Sequence, residues 1–518
     1  MATSWTKEWR QFKSPLRVVV EVIQKSRRRL RRKLSQIKRT LNPALRRQAE
    51  LEREIHQQSE LIRSLRQRIV ELETEKQSSP ITLPYDPPIN GHGYGPRMIS
   101  LAVNVAQVTG IRGAEQVLKI VFESLNIDES IPDFTTIRGW LQRLGVAEMS
   151  KALEKADDWI WIVDHSNQIG AEKVLVVLAI RACRLPPKGT PLRQEDAETL
   201  AVVPGIIWKT ENVAAVYLKL AKQFGNPLAI VCDGAVELRD AAECLKNKGY
   251  APVLLQDPKH KAANLFKALL SGDERFTEFM ARVGQTRSAI QQTELSFLTP
   301  PTPKPKSRFM NLKATLVWAA TVLWILDNPA APARRWVTDE RLEDKLDWVR
   351  SYAEDVATWQ ECQVVICKAL TFTNEQGLFR GAGDRLKKEL AGLKHSTSKK
   401  LAKKLVDFVR ESERSLKGRQ RLPFSTEILE SCFARFKNLE RQHSKGGFTS
   451  LLAAFPTLLR KATPETIKEA FTRVHVKDVK RWVHDNLGET LTSKRRVTNH
   501  AFRKRATNKC ATNTAMAL

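Results

Sequence analysis

The chain has 518 residues, with 86 Lys or Arg against 57 Asp or Glu, a formal charge of +29 and a pI near 9.9. At roughly 150 residues per domain that length allows about three or four units, and a 42% hydrophobic content excludes a disordered or fibrous chain. The longest uncharged apolar run, Ala314 to Leu326, falls short of the roughly 20 residues of a membrane span, and seven cysteines without a C-x-x-C pair argue against a disulfide framework or a zinc knuckle. The expectation is a protein with reduced thiols and no membrane partner, cytoplasmic and nucleoid-associated in a bacterium-like cell. Its surplus positive charge suits phosphate neutralisation.

Residues 1 to 50 hold 15 Lys or Arg against Glu8, Glu21 and Glu50, so this segment alone carries +12. From Leu51 to Leu72 a heptad pattern runs through Ile55, Gln58, Ile62, Leu65 and Ile69. Ile at one seam position and Leu at the other favours a parallel two-stranded coiled coil, and the register extends back through Leu41, Ile37, Leu34 and Leu30. Pro43 should kink or break that helix. The alternative is an amphipathic helix packed on its own domain. Ser78 to Arg97 is rich in Pro and Gly and reads as a linker.

Three helical patterns follow, near Met98–Val108, Gly113–Leu125 and Phe134–Leu144. Asp133 is placed to cap the third, with Thr135, Thr136 and Arg138 outward near its start. That layout fits a helix-turn-helix whose recognition helix reaches base edges with its first turn, and it fits a plain three-helix bundle as well.

From Ala156 the period changes. ADDWIWIVDHS reads as a strand ending in Asp164, EKVLVVLAIRAC as a second strand and PGIIWKT as a third, leading into a helix at Glu211–Phe224. NPLAIVCDGA is a fourth strand ending in Asp233, followed by a helix at Val236–Lys246, then the strand APVLLQD and a helix near Lys261–Leu270. This is an α/β pattern, a mixed sheet covered by helices. Strand-end carboxylates sit where open α/β sheets present catalytic groups, and two of them side by side need a cation between them. Asp257 and His260 follow in QDPKHKAANLF, and far downstream STEILESCFARFKNLERQ puts Glu427 and Glu430 on a helix capped by Ser425, with Lys437 on the face of Glu430.

In this order Asp164, Asp233, Asp257 with His260, and Glu430 with Ser431 and Phe433 resemble a DDE transposase with a ribonuclease-H-like catalytic domain. The [C/D]-(2)-H element is similar to Mutator-like and hAT-like transposases. The E-(6)-K spacing of Glu430 and Lys437 is similar to part of the Y-(2)-R-(3)-E-(6)-K pattern of bacterial insertion-sequence transposases, although Pro423 and Thr426 stand where Tyr and Arg would be. That departure leaves Glu427 as a competing third ligand.

The resemblance implies a catalytic triad of Asp164, Asp233 and Glu430 holding two Mg²⁺ ions, with Mn²⁺ as a substitute, and Asp257, His260 and Lys437 as accessory groups. It also implies a helical insertion that holds DNA, in which Trp318 and Trp324 read as core. Thr135, Thr136, Arg138, Arg334, Arg335 and Arg441 are the DNA-contact candidates. The organisation that follows is a basic coiled-coil arm over 1–77, a linker over 78–97 and a helix-turn-helix domain over 98–150. A first part of the catalytic core over 151–270, a helical insertion over 271–422, final core helices over 423–470 and a basic tail over 471–518 complete it. The function implied is a DNA transposase acting on double-stranded DNA as a coiled-coil homodimer. A domesticated, non-catalytic DNA-binding protein and a stand-alone nuclease are the competing readings.

Overall fold

A computed structural model describes residues 15–76, 84–89, 91–167, 173–302, 312–416, 418, 421–443, 449–487 and 494–503, with side chains except at 15–17, 37–46, 48–49, 70–76 and 441–443. Much of the proline-rich 300–305 linker, Lys504, Arg505, Cys510 and the side chain of Arg441 therefore lie outside the described residues. Two compact units emerge, 1–83 with 123–128, and 84–122 with 129–518. Among the described residues no helix is long and apolar enough to cross a membrane, and Cys183, Cys232, Cys244, Cys362, Cys367 and Cys432 are all free thiols.

The first unit holds one helix, α1 (Pro15–Lys76). It runs through Pro43 without a break, where the sequence predicts an interruption. A proline inside a helix costs about 3 kcal/mol, and the long helical stretches on either side carry it. Leu30, Leu34, Leu51, Ile55, Ile62, Leu65 and Ile69 are all exposed along it, so at the described positions the heptad stripe is not packed on a core.

α2 (Pro96–Thr109), α3 (Ile111–Ser124), which belongs to the second unit as far as Phe122, and α4 (Phe134–Met149) fall where the periodicity places them. Asp86 caps α2 by accepting the N–H groups of Arg97 (3.1 Å) and Met98 (2.9 Å). Asp133 caps α4, and the hydroxyls of Thr135 and Thr136 together with their N–H groups hold its carboxyl down to about 2. These helices share a core with the end of the chain. Asn104 exchanges two 2.8 Å hydrogen bonds with the backbone of Ala462, and the guanidinium of Arg143 donates to the carbonyls of Phe471 and Val474. The terminal helices α15 (Pro464–Arg473) and α16 (Val476–Leu487) thus pack on the three-helix region.

Gly145 of α4 is where the backbones come closest, since a Cβ there would lie 2.0 Å from the carbonyl oxygen of Ala453. Gly145→Ala should therefore destabilise the protein by about 2–3 kcal/mol, read as a lower denaturant midpoint with an unchanged slope.

The sheet has the order β3-β2-β1-β4-β5, from β1 (Trp159–Asn167), β2 (Lys173–Arg181), β3 (Glu198–Gly205), β4 (Ala229–Cys232) and β5 (Val253–Gln256). β2 is antiparallel to β1 and β3, while β4 is parallel to β1 and β5. The third strand lies earlier than the sequence pattern PGIIWKT suggests. Its last described pair is Gly205 opposite Lys173, and Ile206 and Ile207 are exposed. Pro204 is tolerated because β3 is an edge strand.

Alternation divides the two faces of the sheet. Trp161, Val163, Ile230 and Cys232 pack on α5 (Thr210–Phe224) and α6 (Val236–Lys246). Ile160, Ala229, Val231, Val253 and Leu255 pack on α7 (Pro258–Leu270) and share one core with a helical region. That region comprises α8 (Glu274–Ile290), α9 (Leu312–Asp327), α10 (Asp339–Leu346), α11 (Ala353–Gln376), α12 (Ala382–Glu389) and α13 (Ser396–Arg414). Trp318 and Trp359 are buried in it, but Trp324 is 53% exposed, because α9 is apolar on more faces than the core can cover.

Glu361 joins α11 to the start of α13 by accepting the N–H groups of Lys394 (2.8 Å) and His395 (2.9 Å) and the Ser398 hydroxyl. Burial works against its charge, yet these donors hold its carboxyl down to about 2. Its contribution to stability is complete above the ordinary carboxylate range near 4.5 and is lost as the pH falls through about 2. Glu361→Gln should cost about 1 kcal/mol at neutral pH, allowing for partial exposure, and flatten the acid limb of a stability-versus-pH curve.

Candidate active site

The register of the parallel strands assembles the first carboxylates. Val163 lies opposite Cys232, and Cys232 opposite Gln256. The next residue in each strand line is Asp164, Asp233 and Asp257. Strands sit about 4.8 Å apart, so the three acids form a row across β1, β4 and β5. By alternation Asp164 follows Ile160, Asp233 follows Val231 and Asp257 follows Leu255, which places all three on the face covered by α7. Asp164 does not end its strand as the sequence suggests. β1 continues to Asn167 against β2, and Asp164 marks only the point where its pairing with β4 stops.

Local structure fixes each group. Ala235 donates its N–H to Asp233 Oδ1 at 2.8 Å, in a turn that needs Gly234 at φ +90°. Asp257 caps α7 through the N–H of Lys259 at 2.5 Å. Its other oxygen accepts the backbone N–H of Thr426 at 2.7 Å and the Thr426 hydroxyl at 2.5 Å. Thr426 precedes α14 (Glu427–His443), and its carbonyl accepts the N–H of Glu430 at 3.1 Å. Ser425, the predicted cap, accepts the N–H of Glu427 at 3.1 Å.

Glu430 comes in over the row of acids. Asp257, His260 and Glu430 each offer a ligand atom, all within 4.8 Å of one another. Glu430 is paired with the Lys259 ammonium. Burial opposes the charge of Lys259, but the bond to Glu430 and the nearby Glu427 and Asp257 raise its pKa above the usual lysine range. His260 Nδ1 is buried without a hydrogen-bond partner. Asp164 is 8% exposed, and burial first, then the charges of Asp233, Glu430 and Asp257, push its carboxyl well above the ordinary range, against the N–H of His165 that favours ionisation. Burial also pushes the adjacent Cys232 thiol up to about 12, which removes it as a nucleophile.

Glu427, the competing ligand, is exposed and accepts a 2.8 Å hydrogen bond from Asn374. Together with Asn374 it borders two cavities. One, of about 200 Å³, is lined by Asp257 and Lys259. The other is a cleft of about 590 Å³ bearing Arg193, Arg435, Arg460, Lys461 and Glu195. Arg435 is held by the Leu458 carbonyl at 2.8 Å and Gln194 at 2.5 Å, and Arg460 by the Ala197 carbonyl and Glu198, each at 2.8 Å. Arg193 and Lys461 are exposed.

No family model and no curated protein matches the chain. Among solved structures the chain is similar to the Drosophila P element transposase strand transfer complex, at 11% identity, with 78% of this chain and 100% of that chain covered and a TM-score of 0.33.

The remaining sequence candidates scatter. Lys437 is exposed on α14, and Thr135 is exposed, though its hydroxyl is engaged by Asp133. Arg334 turns inward, against the expectation of a DNA contact. It donates to the carbonyls of Ile325 and Leu326, pairs with Asp339, and is 13% exposed. It thereby satisfies the open carbonyls at the C-terminal end of α9. Arg335 and Trp336 beside it are exposed. The sequence pattern assigns no role to Lys259 or Thr426. The D-P-K-H string holds the signal for Lys259, whereas nothing in the string around Thr426 marks it out.

The donor set is carboxylate oxygen with one imidazole nitrogen, and Asp257, His260 and Glu430 could together hold a metal ion. An orphaned buried imidazole nitrogen, with Glu430, Glu427 and Asp257 near one ammonium, fits a site that takes a cation.

Proposed function

We propose that the protein is a DNA transposase whose sheet is a ribonuclease-H-like catalytic core, with Asp164, Asp233 and Glu430 as the ligands of two Mg²⁺ ions. The observation that carries this reading is the convergence of these acids, from two strands and a helix distant in sequence, on one face of the sheet inside a chain of charge +29. Bound there, divalent ions would supply the Lewis acidity that activates water and steadies the leaving 3′ oxygen.

The chain's own residues do the rest. Lys259 neutralises Glu430 in the metal-free protein and is placed to turn to a substrate phosphate once that carboxylate has another partner. His260 keeps a buried ring nitrogen without a hydrogen-bond partner and offers a ligand atom beside Asp257 and Glu430. The cleft with Arg193, Arg435, Arg460 and Lys461 borders the site at Glu427 and offers a path for a DNA strand. Thr135, Thr136, Arg138, Arg335, Lys437 and Arg441 extend the phosphate-binding surface. Arg334 holds the turn that presents Arg335. The exposed Ile and Leu stripe of α1 is an interface for a second copy, and a symmetric dimer suits an element with two ends. Such a protein works at the nucleoid.

The test is incubation of the full-length protein with supercoiled plasmid and a 3′-hydroxyl oligonucleotide duplex, in Mg²⁺ and in EDTA. Mg²⁺-dependent nicking together with joining of the oligonucleotide supports the reading. Nicking without joining points to a stand-alone nuclease, and binding without either reaction to a non-catalytic DNA-binding protein.

A further inference from the structure

We infer that Asp257 acts through Thr426 as a clamp that sets the position of Glu430, a role that rests on the proposed metal centre. Glu430 lies on a helix that the chain reaches only after the long helical region between α7 and α14, and the clamp closes a separation of 169 residues. The segment just before α14 is tied to that helical region. Leu422 exchanges backbone hydrogen bonds with Leu378 (2.8 and 2.9 Å), and the Phe424 ring stacks on Phe408 at 5.7 Å. Neither contact reaches the sheet edge where Asp164 and Asp233 stand.

Asp257 does reach it. One oxygen is fixed by the N–H of Lys259 and the other takes both donors of Thr426, while the backbone N–H of Asp257 donates to the Cys232 carbonyl at 2.7 Å. Asp257 is 1% exposed and Thr426 0%, so water does not compete for these bonds. The Thr426 carbonyl then takes the N–H of Glu430, which makes a continuous path of hydrogen bonds from the β4 backbone to the backbone of the helical acid. With both oxygens engaged, Asp257 serves the centre by placing Glu430. Lys259, on the same capping turn, holds the carboxylate of Glu430 from the other side.

Thr426 contributes no atom to the ligand group, so a change in metal affinity on its alteration comes through the positions of Asp257 and Glu430, which it ties together. Groups that orient metal ligands typically tune affinity by 10- to 100-fold. In the full-length protein, Thr426→Val should weaken Mn²⁺ binding by calorimetry about tenfold and raise the Mg²⁺ needed for half-maximal nicking by the same factor, with Thr426→Ser restoring both. A merely structural role would lower the melting midpoint and leave the metal dependence where it was. If Thr426→Val melts below the assay temperature, Thr426→Ala with the same two readouts takes its place. Wild-type Mn²⁺ affinity in folded Thr426→Val, or failure of Thr426→Ser to restore it, overturns the clamp. If Asp164→Asn binds Mn²⁺ as the wild type does, the metal-centre reading itself fails; if Asp164→Asn loses the metal and Thr426→Val keeps it, only the clamp fails.

Discussion

Asp164→Asn is expected to raise the melting midpoint of the metal-free protein while lowering Mg²⁺-dependent nicking on the order of 10³-fold, about 4 kcal/mol in the barrier. Both effects have one source. Asp164 is buried and faces Asp233, Glu430 and Asp257, and its carboxyl is pushed well above the ordinary range of 3.8. The folded state therefore holds that proton more tightly than the unfolded chain does. The penalty on folding is absent below the ordinary range and grows as the pH rises through the raised pKa. An amide of the same shape carries no such penalty. The stability difference between variant and wild type should thus vanish toward low pH and reach about 1–2 kcal/mol above the titration, typical of replacing a strained functional group. Loss of activity without a gain in stability would mean that the acids do not repel one another.

Glu430→Gln should lower nicking on the order of 10²- to 10³-fold, whereas Glu427→Gln should change it by less than about threefold. Glu430 shares a ligand group with Asp257 and His260 and is held by Lys259. Glu427, three residues earlier, is exposed and tied to Asn374. One turn of helix separates the two candidates, and the direction of approach of α14 decides between them. Single-turnover nicking rates of the two variants measure this, and equal losses would place both acids at the centre.

What could be read from the string follows from period and punctuation. Alternating or continuous apolar runs located β1, β2, β4 and β5, and Val236–Lys246 was legible as a helix to the residue. Asp164, Asp233 and Asp257 stood out as acids closing apolar runs, and the parallel register then set them side by side. What failed depended on partners distant in sequence. β3 ends at Gly205 and leaves Ile206 and Ile207 exposed, a placement absent from the GIIW string. Trp324 looked like core until α9 proved to have more apolar surface than its neighbours cover. Arg334 looked like a free cation because the carbonyls it satisfies belong to the end of another helix. Thr426 is an ordinary residue in an ordinary position, and its part in the site exists only once Asp257 is 169 residues away in sequence and 2.7 Å away in space.

The most direct measurement is the single-turnover nicking rate of full-length protein on supercoiled DNA as a function of Mg²⁺, for the wild type and Asp233→Asn. Asp233 accepts one 2.8 Å hydrogen bond within its own turn. The account predicts a Mg²⁺-saturable rate in the wild type, abolished by EDTA, and a loss on the order of 10³-fold in a variant that melts no lower. Nicking by Asp233→Asn at the wild-type rate and with the same Mg²⁺ dependence would contradict it.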